Sequence, residues 1–245
     1  MTIMGFTNST ARCGTVYIVR MLQELKVGRI THEPRHDFLG SGTNHLGDSA
    51  NSAWLKKSKP RITNSISKSG FYFESDMAFI QATYYYVCRD FDHRNIRVVE
   101  LSRPLEKVVK SIADRALYYK GTNVRRLLHY KNFFNITIPP ENPSHLDYVC
   151  WYIHEIEARK LSFRKKYKDV LVFQFNLDTD AGSIGRWEEL LNFLELDITD
   201  KFKRIVKENP IIHSLRPYVK MNYPIEECKE ALKNYTVIQQ NHPLL

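Results

Sequence analysis

The sequence lacks the features of several protein classes. Its four cysteines lie far apart among 245 residues and form no C-x-x-C pair, so neither a zinc cluster nor a disulfide scaffold is predicted. No stretch approaches the roughly 18 apolar residues of a membrane span, and no charged segment followed by an apolar one opens the chain. These absences favour a cytoplasmic protein with reduced thiols, without a membrane anchor or a secretion signal.

The charge is strongly basic but evenly spread. The formal net charge of +9 predicts an anionic partner, which could be a nucleotide, an acidic sugar, a nucleic acid or a membrane surface. Lysine and arginine form no long run of like charge, whereas arms that bind nucleic acid usually concentrate it. We therefore do not expect nucleic acid to be the partner.

The length and the order of the elements predict one α/β domain over residues 1–245. Runs of β-branched and aromatic residues alternate with segments of helical periodicity, which is the pattern of a doubly wound parallel sheet flanked by helices. The later strands are predicted at 27–31, 71–73, 96–101 and 170–175, and the later helices at 77–89, 105–116, 146–166 and 187–194.

The first 26 residues carry the strongest sign of an anion site. An apolar run from Ile3 to Phe6 gives way to small polar residues and then to Arg12-Cys13-Gly14-Thr15, after which apolar residues recur at helical spacing. In α/β proteins, a strand followed by a loop of small residues and a helix is a common anion site, because backbone N–H groups at the start of the helix point toward the anion. Arg12 would add a forked cation and Thr15 a hydroxyl. The loop has no Walker A lysine.

A second anion site is predicted after the strand at 96–101. Arg103 follows this strand, and Ser111 lies eight residues later (111 − 103 = 8), two turns into the next helix. Both can meet over one anion at the carboxyl edge of the sheet, where open α/β sheets bind their ligands.

Two stretches without strong periodicity, 38–70 and 118–146, are expected to be loop regions that face a substrate. The first is rich in glycine, serine, asparagine and lysine, and is expected to hold at most a few short helical turns. The candidate walls of an acceptor pocket are Trp54, Tyr118, Tyr119, Phe133, Phe134 and His145.

These motifs together resemble those of the sulfotransferases that use 3′-phosphoadenosine 5′-phosphosulfate (PAPS). The stretch Arg12-Cys13-Gly14-Thr15-Val16 looks like the family's loop for the 5′-phosphosulfate, and Arg103 with Ser111 resembles its site for the 3′-phosphate. A third likeness is the strand at 170–175 followed by the helix at 187–196. The resemblance implies a fold like that of the P-loop nucleoside-triphosphate hydrolases, PAPS as donor, 3′-phosphoadenosine 5′-phosphate (PAP) as product, and no metal.

The sequence departs from the family pattern at several positions. Cys13 replaces a serine or threonine, and Val16 replaces a frequent threonine. After the late strand the family has an acidic turn, whereas Asn176-Leu177 here offers no carboxylate. The basic signature near the C-terminus of the cytosolic steroid and phenol enzymes is absent.

The resemblance also implies catalytic roles. Glu33, nineteen residues after Gly14 (33 − 14 = 19), is the first choice for the base that takes the acceptor's proton, and His32 is the alternative. Arg12 is expected to stabilise the departing phosphate. A further cation is expected from the first irregular stretch, from among Lys56, Lys57, Lys59 and Lys68.

We therefore expect an enzyme that transfers a sulfuryl group from PAPS to a hydroxyl or amine of a small molecule. One alternative is a sulfotransferase whose acceptor is a carbohydrate or a protein tyrosine. Another is a nucleotide- or nucleic-acid-binding protein without transferase activity. A small P-loop kinase is disfavoured, because the lysine for the β- and γ-phosphates is missing.

Overall fold

The computed structural model of the protein describes residues 2–10, 12–32, 48–114, 135–138, 140–141, 143–208 and 222–235. Within these ranges the chain forms one five-stranded sheet in which every pairing is parallel, in the order β2-β3-β1-β4-β5. The strands are β1 Ile3–Asn8, β2 Arg29–His32, β3 Phe71–Ser75, β4 Ile96–Ser102 and β5 Leu171–Asn176. The predicted α/β architecture with a parallel sheet is thereby confirmed.

Helices fill most connections between the strands. The α-helices are α1 Thr15–Gln23, α2 Asp48–Ala53, α3 Lys59–Ser69, α4 Tyr84–Asp90, α5 Leu105–Ala113, α6 His145–Lys166, α7 Leu177–Asp180, α8 Ile184–Phe193, α9 Asp200–Glu208 and α10 Ile225–Asn234. Two π-helical turns, Trp54–Ser58 and Phe79–Thr83, lead directly into α3 and α4, and a short 3₁₀ turn, His93–Asn95, precedes β4.

Strand β1 lies in the middle of the sheet, and all six of its residues are buried. It pairs with β3 on one side and β4 on the other, so that Phe6 lies beside both Glu74 and Val98. A strand covered on both faces reads as a continuous apolar run, which explains why the sequence at 3–6 predicts a strand without strict alternation.

Aromatic contacts show how helices cover the sheet. On α1, Tyr17 meets Trp187 of α8 edge to face, with ring centroids 6.1 Å apart. Elsewhere Phe6 of β1 stacks on Phe79 at 5.0 Å, and Phe79 in turn contacts Phe163 of α6 at 5.7 Å. Right-handed crossovers in opposite directions from the centre of a sheet place their helices on opposite faces, as in a doubly wound sheet.

The stretch at 38–70 differs from the expected loop, because residues from Asp48 onward are helical as far as Ser69. Trp54 is fully buried and stacks on Tyr86 at 5.3 Å, so its assignment to a pocket wall is wrong. The helix ends at Gly70, whose φ of 72° is the left-handed conformation that closes helices. Residues 33–47 lie outside the described ranges.

The second irregular stretch, 118–146, is described only in part. Helix α6 begins at His145, and the side chains of Ser144 and Asp147 form a reciprocal capping box at its start. Ahead of it, Ile136 and Thr137 donate backbone hydrogen bonds to the buried carboxylate of Glu155. Tyr118, Tyr119, Phe133 and Phe134 lie outside the described residues, so their proposed role stays a prediction.

A partly buried polar contact holds the α3 segment to α4. Trp54 Nε1 donates to Asp90 Oδ2 at 2.8 Å, and Lys59 Nζ lies 3.2 Å from the same oxygen. Burial alone would raise the pKa of Asp90, but hydrogen bonds from Arg89, Trp54 and Lys59 outweigh it and lower the pKa to about 2. Asp90 therefore stabilises the fold as a carboxylate.

Replacing Asp90 by asparagine should remove that contribution. We expect Asp90→Asn to lower the free energy of unfolding by about 2 kcal/mol at about pH 7, because charge-assisted hydrogen bonds are lost. The stabilisation is present above the unfolded-state pKa of about 3.9 and disappears as the pH falls toward the folded-state value, so the two proteins should converge in acid. Urea unfolding across this range measures the difference, with Asp169→Asn at an exposed site as control. A gap that is independent of pH would contradict the assignment.

Candidate functional site

The candidate site lies where β1 and β4 end side by side. The connection after β1 leads to β2 on one side of the sheet, and the connection after β4 leads to β5 on the other. Loops that diverge in this way leave a crevice at the carboxyl ends of the strands, which is where open α/β sheets bind ligands. The β1–α1 loop and the turn that contains Arg103 both reach this crevice.

The β1–α1 loop has an unusual backbone. Gly14 has a φ of 92°, and a Cβ atom at this position would lie 2.7 Å from Cδ1 of Leu177. The loop therefore requires glycine, both for its conformation and for its close approach to the turn after β5. Arg12 is also left-handed, with a φ of 70°. Such a conformation costs a non-glycine residue about 1–3 kcal/mol and is enriched at functional sites, although Lys26, Glu195 and Asn222 also adopt it here.

The structure brings three of the predicted phosphate-binding side chains together. Arg12 Nε donates to Ser111 Oγ at 3.2 Å, across 99 residues of sequence. Arg103 Nη1 lies 3.4 Å from the backbone oxygen of Arg12. The two predicted anion sites are thus one cluster of two guanidinium groups and a hydroxyl at the crevice.

The same cluster contains two residues that sequence reasoning missed. Asp178 accepts from Arg103 Nε at 2.8 Å and also from Lys107 Nζ. Burial raises the pKa of Asp178, but the hydrogen bonds from Lys107 and Arg103 lower it below the ordinary value. The turn after β5 therefore does carry a carboxylate, two residues beyond the strand, which corrects the expectation drawn from Asn176-Leu177. Lys107 could have been found, since it lies one helical turn beyond Arg103.

The remaining loop residues have specific partners. Cys13 is buried and its Sγ lies 2.8 Å from Thr10 Oγ1. Thr15 Oγ1 lies 3.1 Å from Nε2 of His32, at the end of β2. The Thr15 hydroxyl, which was expected to bind an anion, thus contacts His32, the alternative candidate for the base. Val16 is 37% exposed and can offer only its backbone.

Glu33, the first choice of base, lies outside the described residues, so its role stays a prediction. Among the candidate lysines, Lys57 and Lys68 line a groove with the start of β2, and Lys59 pairs with Asp90. A lysine beside the anion stays a prediction.

Two buried polar side chains lie at the end of β1, where the loop begins. Asn8 and Ser9 are fully buried, and neither side chain has a hydrogen-bond partner among the described residues. Asn8 is opposite Glu100 in the β1–β4 register. Burial raises the pKa of Glu100, and the charges of Lys160 and Arg164 oppose that shift. Each unpaired buried group costs about 1–3 kcal/mol, which favours a bound group at this end of the crevice.

The described residues contain neither a metal-binding cluster nor a membrane-spanning helix. No three His, Cys, Asp or Glu side chains in these ranges approach one another closely enough to hold a metal ion. Over the same ranges, no helix combines the length and the apolar character needed to cross a membrane.

Comparison with known proteins adds no assignment. No protein-family model matches the chain, and no curated protein matches it with significant similarity. The site must therefore be interpreted from its own geometry.

The burial of the cysteines predicts that their thiols react slowly in the folded protein. Cys13, Cys88, Cys150 and Cys228 are all buried, and burial raises the pKa of each thiol. Because only the thiolate reacts, we expect modification by a chromogenic disulfide reagent to be at least about tenfold slower in the folded protein than after denaturation. A single fast thiol that disappears in Cys13→Ser would show that the loop cysteine is accessible and activated instead.

Proposed function

We propose that the protein is a PAPS-dependent sulfotransferase with a P-loop-like fold, acting on a hydroxyl or amine of a small molecule. The observation that carries this proposal is the convergence of Arg12, Ser111 and Arg103 at the carboxyl edge of the sheet. These are the residues whose spacing resembles the donor-binding motifs of that family.

The charges of the site suit an anionic donor. Arg12 and Arg103 offer planar forks that match phosphate or sulfate geometry, and Lys107 adds a point charge. Ser111 supplies a neutral donor beside Arg12. The unpaired side chains of Asn8 and Ser9 lie next to the loop that would hold the 5′ end of the donor. This set of donors fits PAPS and offers no lysine within the loop for a nucleoside triphosphate.

The proposed reaction needs positioning and charge stabilisation. PAPS would supply the sulfuryl group: a bond forms between the acceptor oxygen or nitrogen and sulfur, and the bond between sulfur and the bridging phosphate oxygen breaks. Arg12 would stabilise the negative charge on the departing phosphate. The acceptor's proton would pass to His32 or Glu33. His32 has the better unperturbed pKa, about 6.5, and its ring lies beside the loop.

The first test is a thermal shift with PAP, ATP and a short DNA oligonucleotide compared side by side. At about 100 times its dissociation constant a ligand adds about 2.7 kcal/mol, so PAP should raise the melting temperature by about 5 °C or more. ATP and DNA should give smaller shifts. Stabilisation by DNA but not by PAP would overturn the proposal in favour of nucleic-acid binding.

Two substitutions in the cluster should act in opposite directions. Arg103→Ala should weaken PAP binding about tenfold or more, because a bidentate partner is lost. Asp178→Asn should strengthen it about threefold or more, because a carboxylate that competes for Arg103 and Lys107 becomes neutral. Calorimetric titration measures both affinities.

Matched controls are Arg94→Ala and Asp169→Asn, which make the same changes at exposed positions. If both cluster variants weakened binding equally, Asp178 would hold the site together rather than compete with the ligand. If neither changed the affinity, PAP would bind elsewhere.

A further inference from the structure

The segment at 222–235 is joined to the end of α5 through the backbone of Tyr223. The N–H of Tyr223 donates to Asp114 Oδ1 at 2.7 Å, and its carbonyl oxygen accepts from Lys110 Nζ. Lys110 and Asp114 also pair with each other at 2.9 Å. We call these three residues the clasp. We propose that the clasp holds α5 where Ser111 can bind an anion, which makes Tyr223 and Asp114 positioning residues of the candidate site.

The clasp is also tied to α6. The Tyr223 hydroxyl lies 3.2 Å from Nδ1 of His145, the first residue of α6, and the two rings are 5.7 Å apart. Helix α10 begins directly after the clasp and packs against both α5 and α6, with Cys228 fully buried. The place of Tyr223 between the two helices is therefore set by its backbone and by its side chain.

The residues on either side of Tyr223 restrict its backbone further. Asn222 has a φ of 54°, a left-handed conformation that asparagine tolerates better than most residues other than glycine. Pro224, whose ring fixes its φ, is the N-cap of α10. A chain restricted on both sides can hold the end of α5 with little freedom to shift.

The clasp and the candidate site share one face of α5. Lys107, Ser111 and Asp114 recur at spacings of four and three residues, so they follow one another along that face (111 − 107 = 4; 114 − 111 = 3). Asp114 lies about 4.5 Å beyond Ser111 along the helix axis. The opposite face is buried and comprises Val108, Val109, Ile112 and Ala113. A change at the clasp thus reaches the site through a single helical turn.

The contact between Arg12 and Ser111 depends on where α5 lies. At 3.2 Å it is at the long end of the range for an N–H···O hydrogen bond, so a shift of the helix by about half an ångström would weaken or break it. Near the start of α5, Lys107 is held by Asp178. The clasp provides the second attachment, at the other end of the helix.

The charge of Asp114 separates positioning from simple electrostatics. A carboxylate one turn from the site repels an anion, so removing it would by charge alone tighten anion binding. If the clasp positions Ser111, removing the acceptor must instead weaken binding. This inference rests on the anion site of the proposed function, so its test uses PAP and, separately, inorganic pyrophosphate, which needs the anion site alone.

The test is calorimetric titration of Asp114 variants with PAP. Asp114→Ala loses the acceptor for Tyr223 and should weaken binding about threefold or more, whereas Asp114→Asn keeps an acceptor oxygen and should stay within about twofold of the unmodified protein. In a Ser111→Ala background, Asp114→Ala should change the affinity less than about twofold, because the residue through which the clasp acts is absent. The matched control is Asp169→Ala at an exposed position.

Each other outcome has a definite meaning. Tighter or unchanged binding by Asp114→Ala would overturn the proposal. An equal loss with and without Ser111 would also overturn it, since the clasp would then stabilise the fold without acting through Ser111. If Asp114→Ala fails to fold, Asp114→Glu replaces it. This variant keeps the charge but is one methylene group longer, so it should weaken binding about twofold or more, and an unchanged affinity would contradict the proposal.

Pyrophosphate separates this inference from the identity of the donor. If PAP does not bind the unmodified protein, the proposed function fails, and the same variants are compared with pyrophosphate. The same order of affinities would then support the clasp without the sulfotransferase proposal. Binding of neither ligand would overturn both.

Discussion

The position of β1 between β3 and β4 determines where polar chemistry can occur in this protein. A central parallel strand can offer polar side chains to a ligand only at its ends, because both of its edges and both of its faces are covered. In open α/β sheets the carboxyl end is the one that binds ligands. Here that end carries Asn8, Ser9 and the loop with Arg12. The connections on either side of β1 diverge, so Arg103 arrives from β4 at the same crevice. The arrangement of strands that buries β1 thus also brings Arg12 and Arg103 together at its carboxyl end.

Concentrated positive charge needs a counter-charge when no ligand is bound. Asp178 provides it, with one carboxylate between Arg103 and Lys107. Its lowered pKa shows that the carboxylate form is favoured there, although burial opposes it. A carboxylate in this place occupies donors that an incoming phosphate would use. An incoming anion must therefore displace the carboxylate of Asp178 from Arg103 and Lys107. Its affinity depends on the difference between the charge-assisted contacts that it makes and those that are lost.

The sequence predicted the strands well, for identifiable reasons, whereas the contact between Arg12 and Ser111 joins two anion sites that it predicted separately. Strand β4 is β-branched and bounded by turn residues, so its predicted limits differ from the observed ones by one residue. Arg103 and Ser111 could be placed near the first loop because they follow a strand of the same sheet, and open α/β sheets bind ligands at the carboxyl ends of their strands. The same reasoning could not find Asp178, since its contact depends on how the turn after β5 folds back onto α5.

The helical segment at 48–69 was missed for a different reason. Serine, asparagine and threonine have low helix propensity, so local composition favoured a loop. The segment is helical because Trp54 and Ile62 are buried, a tertiary contribution that no local pattern reveals. The helical segment also lines a groove with the start of β2, which a loop would not do. Lys57, Arg61 and Lys68 look dispersed along a chain read as a loop, but a helix aligns them on one face and packing brings Arg29 alongside. Lysines and arginines that are evenly spaced in the sequence can therefore still cluster on the surface, because they come together only when the helix forms.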